Sequence, residues 1–528
     1  MLRNVIAIGL TILAALAALS CRSQRVNEDE IRTYIDDYAK RAEYLNRRIA
    51  LARWQYLTAG RADSLPYFLR LNEELNSNPA MPLFVKEYLA AAEDDNDRRR
   101  LEFIHRAFLR TVVESDSSVR QVRDLVLSAA VRWKPQFQGV TAAEDSLRRI
   151  IVSESDRRLR QDAYTALTAL GDSLAPGVVR LVRLRNQVAA AAGYPSYYDM
   201  MLTVSGLDKG EYLALLNDIC QSSESSYRRA VDSVMRQLSL PDLQAWDIEY
   251  ALHQTSVPVE PYYAAVNQTA LLRFTLRGLG INVDSLPIYF APAITVGAAL
   301  PNDVMMVQVP RDIRVVTAAS DGPASLSRLF GQVGRALYAV NIGQPDYLLA
   351  QPPAPCFAEG MAQIAREVID LDSWRRKYAA MPEPLVIELA AIRDFSRLYD
   401  LRFLLVQIAF EQELYQNPLG DLDLRYRQLF EKYMMFPCRG AKAAWAAQID
   451  FVTDPVSLQN RLVGRCIAAQ TLAHLCEEYG AILDNSHLQD FLMRNYYRHG
   501  GSEDWRTLVT RGTGEKLNPK YLFRQCAN

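Results

Sequence analysis

The dominant pattern in this 528-residue chain is helical: apolar residues recur every three or four positions over most of its length. In the long run at 28–59, Tyr34, Tyr38, Leu45 and Ile49 are spaced in this way among charged residues. Such spacing places apolar side chains on one face of a helix. Further runs of this kind predict helices at 82–95, 97–114, 117–134, 142–170, 173–193, 325–340, 356–370, 385–416, 421–434, 440–449, 455–480 and 486–497. The sequence therefore predicts a mostly α-helical protein.

One segment, 287–317, carries a β pattern instead. Residues 303–309 read DVMMVQV and residues 313–316 read IRVV, on either side of a turn from Pro310 to Asp312. Apolar and β-branched residues that flank a proline-containing turn are typical of two paired strands. We therefore expect one small β-sheet, beside the opening helix of the chain.

The first residues indicate where the protein is sent. Arg3 precedes an apolar run at 5–19, and small residues stand directly before Cys21. A basic start, a short apolar run and small residues describe a secretory signal peptide, and the run is short for a membrane span. A cysteine in this place resembles the bacterial lipobox. We expect residues 1–20 to be a signal peptide and Cys21 to be lipidated, which would anchor a single body, 21–528, to the cell envelope. The alternative is ordinary cleavage with an incidental cysteine.

Charge and residue counts exclude two function classes. The formal net charge of −1 argues against a nucleic-acid partner. No two of the five histidines are three to five residues apart, which argues against a histidine-rich metal site. Six cysteines follow Cys21, none of them with zinc-ribbon spacing, and the sequence does not choose among their pairings.

Five blocks, in order, resemble the angiotensin-converting-enzyme family of zinc peptidases, especially its bacterial members. They are LVRLRN to AGYPSYY at 181–198, the helix at 325–340, CFAEG at 356–360, FEQELYQNP at 410–418 and AAWAAQID at 443–450. The likeness spans roughly residues 35 to 480. It implies a helical ellipsoid in two halves with a central cleft between them, and a small sheet near the zinc-binding helix.

The zinc motif of that family is degenerate here. Its His-Glu-x-x-His falls on Gly331, Gln332 and Arg335. Glycine offers no ligand, a glutamine amide takes no proton at neutral pH, and a permanently cationic arginine repels a metal dication. The third zinc ligand is retained as Glu359, and Gln363 replaces an aspartate that supports a histidine ligand.

The substrate-binding groups of the family are also replaced. A Lys-x-His that grips the substrate carboxylate and carbonyl falls on Gln448 and Asp450. The tyrosines that include the oxyanion donor fall at Ser457, Leu458 and Arg461. Metal and oxyanion donors each contribute orders of magnitude in rate. The resemblance therefore implies no hydrolysis, no bound metal and no cofactor.

These observations favour a lipid-anchored pseudopeptidase of the bacterial envelope, in the outer membrane of a cell that has two. It would bind a peptide or an envelope protein without cutting it. One alternative is a scaffold subunit of an outer-membrane protein complex, and a second is an active peptidase of the peptidyl-dipeptidase type. An open cleft lined by polar groups would favour the first hypothesis.

Two structural predictions follow from the resemblance. A carboxylate left in a cleft needs a partner, and Arg335 stands where a second zinc ligand would be, so we expect a salt bridge between Arg335 and Glu359 in place of the metal. A strand within 296–309 corresponds to the one that pairs with substrate backbone in the family. We expect an exposed edge there to bind extended peptides weakly.

Overall fold

A computed structural model describes residues 27–62, 64–255, 257–294, 303–317 and 320–524. The predicted signal peptide, 1–20, and the predicted lipidation site, Cys21, lie outside these ranges. Across the described ranges, no helix combines the length and the apolar character that a membrane crossing requires.

Helices fill the chain up to the sheet. They are α1 (Glu28–Ala59), α2 (Leu65–Asn76), α3 (Met81–Ala91), α4 (Asp95–Glu114), α5 (Ser117–Arg132), α6 (Glu144–Ser153), α7 (Arg157–Thr168), α8 (Leu170–Ala191), α9 (Tyr197–Val204), α10 (Lys209–Gln237), α11 (Ala245–Leu252) and α12 (Ala265–Gly278). The single helix predicted at 142–170 is wrong, because this segment forms α6, α7 and the start of α8. Asp156 breaks the run: its side chain accepts from the Arg158 N–H and caps a new helix.

The predicted hairpin is present, within a sheet of three strands. β3 (Ile288–Pro292), β4 (Asp303–Gln308) and β5 (Asp312–Thr317) lie in the order β3-β5-β4. β5 runs parallel to β3 and antiparallel to β4. Met305 and Val307 of β4 are buried in one cluster with Leu57 of α1, which confirms the predicted place of the sheet beside the opening helix.

The structure adds a short ladder that the sequence analysis did not predict. β1 (Gln136–Phe137) and β2 (Val140–Thr141) form this two-stranded ladder, apart from the predicted sheet. The two residues between them, Gln138 and Gly139, both have positive φ, at 50° and 81°. This is the backbone that a tight hairpin turn needs, but Gln-Gly is not one of the pairs by which such turns are recognised in a sequence.

The chain returns to helices after the sheet. They are α13 (Pro323–Val340), α14 (Pro355–Asp370), α15 (Asp372–Lys377), α16 (Glu383–Gln416), α17 (Leu422–Met434), α18 (Asp450–Thr453), α19 (Leu458–Tyr479), α20 (His487–Asn495) and α21 (Trp505–Thr513). Short 3₁₀ segments lie at Glu260–Tyr263, Val283–Ser285, Ala444–Ala447, Tyr497–His499 and Pro519–Phe523.

The helix predicted at 440–449 is wrong, because only Ala444–Ala447 turns, as a short 3₁₀ segment. Its backbone donors are taken by side chains of earlier helices. The Ala443 N–H donates to Asp172 at 2.7 Å and the Ala441 N–H donates to Thr168 at 3.3 Å. These tertiary bonds satisfy the backbone in place of an intrahelical ladder.

Three of these helices, α13, α14 and α19, approach one another closely through glycines. A Cβ at Gly334 of α13 would lie 2.7 Å from the carbonyl oxygen of Met361 on α14. A Cβ at Gly464 of α19 would lie 2.8 Å from the backbone nitrogen of Gly360. Larger residues at Gly334 and Gly464 would force the helices apart. The glycines thus bring the faces that carry the candidate site into contact.

Candidate functional site

A large cleft of about 1640 Å³ opens against the helices that carry the degenerate motif. Its wall is strongly charged. The arginines that line it are Arg110, Arg123, Arg328, Arg335, Arg366, Arg375, Arg393, Arg397, Arg461, Arg465 and Arg524. The carboxylates that line it are Glu114, Glu260, Glu359, Glu367, Asp370, Asp394, Asp400 and Asp454. The volume exceeds the roughly 300–1,000 Å³ of a drug-sized pocket, so the cleft has room for a peptide.

Glu359 is the centre of the degenerate site. It lies near the start of α14, and its carboxylate is the acceptor of two guanidinium groups. Arg335 of α13 donates through Nη2 to Oε2, which confirms the predicted salt bridge. Arg366, two helical turns along α14, donates through Nη1 to Oε1 at 2.8 Å. Each oxygen of the carboxylate therefore has its own arginine.

The two arginines control the charge state of Glu359. Its side chain is 13 % exposed, and burial alone would raise the pKa of the carboxyl group. The positive charges of Arg335 and Arg366, followed by their hydrogen bonds, outweigh burial and lower the pKa of Glu359 below its usual value. Glu359 is therefore a carboxylate at neutral pH, and the three-residue cluster carries one net positive charge.

Two glutamines extend this cluster. Gln332 accepts from Nη1 of Arg335 at 3.2 Å, and Gln363 accepts from Nη1 of Arg366 at 3.3 Å. In both cases the amide oxygen meets a guanidinium group. The two positions at which the resemblance would place a base and an orienting acid are thus occupied by amides that accept from arginines.

Gly331 lies beneath the Arg366 guanidinium. A Cβ built on Gly331 would be 2.8 Å from Nη2 and 2.9 Å from Cζ of Arg366, closer than real Cβ contacts. The guanidinium therefore takes the space in which a side chain at 331 would begin. A histidine at this position does not fit unless Arg366 moves.

The residues around Glu359 do not fit a zinc ion. A zinc site of this type needs three protein ligands, whereas this cluster offers one carboxylate between two permanent cations. Within the described ranges, no group of three or more His, Cys, Asp or Glu side chains is arranged to hold a metal.

The fold has a counterpart among solved structures. No protein-family model matches the chain, and no curated protein matches it. The chain is similar to the crystal structure of the M32 carboxypeptidase from Deinococcus radiodurans R1, with a TM-score of 0.63 over 93 % of this chain and 97 % of that one. The chain therefore shares its fold with that carboxypeptidase. At 14 % identity the likeness shows the fold alone. It confirms the prediction of a mostly α-helical, metallopeptidase-like body, and it does not single out the angiotensin-converting-enzyme family.

Gln448 and Asp450 lie apart from the cluster. Gln448 follows the 3₁₀ turn and accepts from Nε2 of Gln407 at 3.0 Å, and Asp450 is exposed at the start of α18. Neither is among the described residues that line the cleft, although Ser457 and Arg461 are. The structure therefore brings together Gly331, Gln332, Arg335, Glu359 and Gln363, and it leaves the other two outside.

The strand predicted for peptide pairing also lies away from the cleft lining. β4 is an edge strand within the described sheet, and Met305 and Val307 point into the cluster on α1. No residue of β4 is among the described residues that line the cleft. Residues 296–302 of the predicted interval lie outside the described ranges.

The sequence reasoning missed Arg366 and Arg465. For both residues, the spacing along the helix predicts the face on which the side chain lies. Arg366 follows Glu359 by seven residues, which returns it to the same face of α14. Arg465 follows Arg461 by four residues, which places both on the face of α19 that lines the cleft. No motif of the resembled family contains either residue, so the resemblance alone does not find them.

Proposed function

We propose that this protein is a lipid-anchored pseudopeptidase that binds a peptide in its cleft and does not hydrolyse it. The observation that carries the proposal is the cluster at Glu359 inside a peptidase fold. Arg335 and Arg366 occupy the surroundings of the one carboxylate that corresponds to a zinc ligand. The cleft beside the cluster is open and charged, as a ligand-binding surface requires.

The absence of hydrolysis follows from chemistry. Peptide hydrolysis by this fold family depends on an activated water and a charge acceptor for the tetrahedral intermediate. Gln332 replaces the base, and a glutamine amide has no basic site at neutral pH. The proposal therefore assigns the chain to a catalytically inactive branch related to the angiotensin-converting-enzyme family.

The envelope location rests on the sequence alone. The apolar run at 5–19 and the cysteine at 21 support export and lipidation. Stable anchoring by lipid takes more than one acyl chain, which a lipoprotein cysteine carries. The scaffold alternative is weaker, because a cleft of this size and polarity is retained rather than filled by side chains.

Incubation with a peptide library tests the catalytic part. We expect mass spectrometry to find no cleaved product with or without added zinc, and calorimetry to find peptides that bind. Matched incubation of Glu359→Gln, which removes the retained ligand position, controls for contaminating peptidases. Turnover that disappears in this variant would overturn the proposal, and failure to bind any peptide would favour the scaffold alternative.

Cell fractionation tests the anchor. The wild-type protein should partition with the envelope membranes and should release lipid-modified N-terminal peptide on digestion. Cys21→Ala should appear in soluble fractions or retain its signal peptide, whereas Cys220→Ala, a change elsewhere in the chain, should behave as wild type. A Cys21→Ala protein that is both cleaved and membrane-bound would rule out lipid anchoring through this residue.

A further inference from the structure

One face of α19 forms part of the cleft wall. Ser457, at the N-cap, and Asn460, Arg461, Arg465 and Ala469 all line the cleft and recur every three or four residues. The rest of the helix is largely buried in the core. The polar stripe on an otherwise buried helix therefore faces the solvent of the cleft and whatever binds there.

Arg461 and Arg465 stand one helical turn apart on this stripe. Like charges at this spacing repel each other by a few tenths of a kcal/mol. Neither guanidinium has a carboxylate oxygen within 4.0 Å among the described residues. Two neighbouring cations without an ion-pair partner are unfavourable to the fold itself, so their placement needs another reason.

Other arginines of the same wall are paired. Nη1 of Arg393 lies 2.6 Å from Oδ1 of Asp372, and Nη2 of Arg397 lies 2.8 Å from Oε2 of Glu367. Most arginines of the described lining are thus paired; Arg110 and Arg328 also lack an ion-pair partner there, but they lie on different helices. Arg461 and Arg465 are the neighbouring pair on one helix face without a contacting carboxylate.

Asp400 of α16 is the carboxylate whose charge acts most directly on the pair. It lies beyond ion-pair distance but attracts both arginines. Burial raises the pKa of Asp400 and the charge of Glu249 adds to this rise, against the attraction of Arg465 and Arg461. The pKa of Arg465 is lowered, mainly by burial and also by the charge of Arg461, and the attraction of Asp400 opposes this only in part.

We infer that Arg461 and Arg465 form a subsite for a carboxylate of a bound acidic peptide. Guanidinium groups donate to carboxylates with paired N–H bonds, and such charge-assisted bonds are the strong ones. The size of the cleft favours a peptide over a small metabolite. The inference rests on the proposed function for the kind of ligand, and it adds the chemistry by which that ligand is selected.

The carboxylate has two sources, an acidic side chain or the peptide C-terminus. Fluorescence anisotropy with four labelled peptides separates them: a Glu-rich peptide and its Gln counterpart, each with a free and with an amidated C-terminus. The protein variant is Arg461→Gln/Arg465→Gln. The matched control is Arg273→Gln/Arg277→Gln, which removes two arginines at the same spacing on α12, outside the described cleft lining.

We expect wild type to bind the Glu peptide more tightly than the Gln peptide, and the cleft variant to lose at least about tenfold of that affinity. The control variant should stay within about twofold of wild type. Part of the affinity depends on Arg461 and Arg465. If amidation of the C-terminus removes this part and the exchange of Glu for Gln does not, the subsite takes the terminal carboxylate. Each single variant, Arg461→Gln and Arg465→Gln, should give an intermediate loss, which guards against a misfolded double variant.

Three results would overturn the subsite. Wild type could bind the Glu peptide with a free C-terminus and the amidated Gln peptide with equal affinity, the cleft variant could bind the peptides as tightly as wild type, or no peptide could bind. Cleavage of the peptides, followed by mass spectrometry in the same samples, has a different meaning. It would contradict the proposed lack of hydrolysis, while the affinities of the four peptides for wild type and the cleft variant would still decide the subsite.

Discussion

Two pairs of arginines on the cleft wall differ in whether a carboxylate contacts them. Arg335 and Arg366 share Glu359, and each donates to one oxygen of its carboxylate. Arg461 and Arg465, on α19, have no carboxylate oxygen within 4.0 Å in the described part of the chain. The first pair ties α13 to α14, whereas the second pair points its charge into the cleft.

The difference separates arginines that stabilise the fold from arginines that are available to a ligand. Removing one partner of a buried ion pair leaves an uncompensated charge, which is costly even where the intact pair contributes little. Removing a cation that has no ion-pair partner leaves no carboxylate that has lost a direct contact. Stability measurements can therefore distinguish the two pairs without knowledge of any ligand.

Glu359→Gln should produce the largest loss of stability. It leaves the Arg335 and Arg366 guanidinium groups side by side without an anion, and we expect a decrease of about 2–3 kcal/mol in the free energy of unfolding by urea at pH 7. The matched change Glu383→Gln breaks an exposed pair with Arg376 and should lower the unfolding free energy clearly less, because solvent screens an exposed pair. Equal losses in the two variants would mean that the cluster at Glu359 stabilises the fold no more than an exposed ion pair does.

Glu411 extends the comparison to a buried carboxyl group without a guanidinium in contact. It is 1 % exposed, and Oε1 accepts from the Val456 N–H at 2.8 Å, while Oε2 has no hydrogen-bond partner among the described residues. Burial raises the pKa of Glu411 to about 8, although the Val456 N–H and Arg185 oppose this. The protonated form is thus favoured by folding. Stability from this group is complete below pH 4.5 and is lost as the pH rises through about 8.

Glu411→Gln should remove the loss of stability that wild type shows at alkaline pH, because glutamine does not ionise. We expect the variant to exceed wild type by about 2 kcal/mol in unfolding free energy at pH 9 and to match it more closely at pH 5. Urea titrations at the two pH values give the comparison. Glu359 should give the opposite dependence of the unfolding free energy on pH. Because its pKa is lowered, its contribution to stability is lost as the pH falls below 4.5. A Glu411→Gln protein with the wild-type pH profile would contradict the neutral buried carboxyl.

Arg335→Ala should have a smaller effect, of about 1 kcal/mol, because Arg366 still neutralises Glu359. Arg366→Ala should behave similarly. The double variant leaves Glu359 without a cation and should lose more than the sum of the two, a coupling that a double-mutant cycle measures. Additive losses would mean that the two arginines do not share the carboxylate in solution.

Arg461→Gln/Arg465→Gln should have the smallest effect. Because the arginines lack ion-pair partners, we expect the unfolding free energy to stay within about 0.5 kcal/mol of wild type. Relief of like-charge repulsion at this spacing favours a slight gain. A large loss would mean that these residues stabilise the fold, and the contrast with Arg335 and Arg366 would fail.

Periodicity predicted the helices that carry the site with good accuracy. The run at 28–59 corresponds to α1 residue for residue, and the runs at 325–340 and 356–370 differ from α13 and α14 by two residues or fewer. These helices bury one regular apolar face, which is what a periodicity detects. The segment at 440–449 failed because its backbone bonds to side chains from distant parts of the chain.

The candidate site was predicted in part. The Arg335–Glu359 bridge follows from the need of a cleft carboxylate for a cation, which the sequence supplies at a position fixed by the resemblance. The second partner, Arg366, depends on the space that Gly331 leaves open between two packed helices. Such space is a property of tertiary packing, and no spacing rule within one helix contains it.

The contact between Gly331 and Arg366 also bears on whether a zinc motif of the resembled type can be built into this fold. Introducing histidine at 331 first would place a side chain against the guanidinium. Removing Arg366 first would take from Glu359 one of its two cations before any metal ligand had been added. Each change is unfavourable until the other has been made, so single substitutions reach a metal site only through a less stable intermediate. An engineered zinc site therefore needs both positions changed together with Gln332 and Arg335.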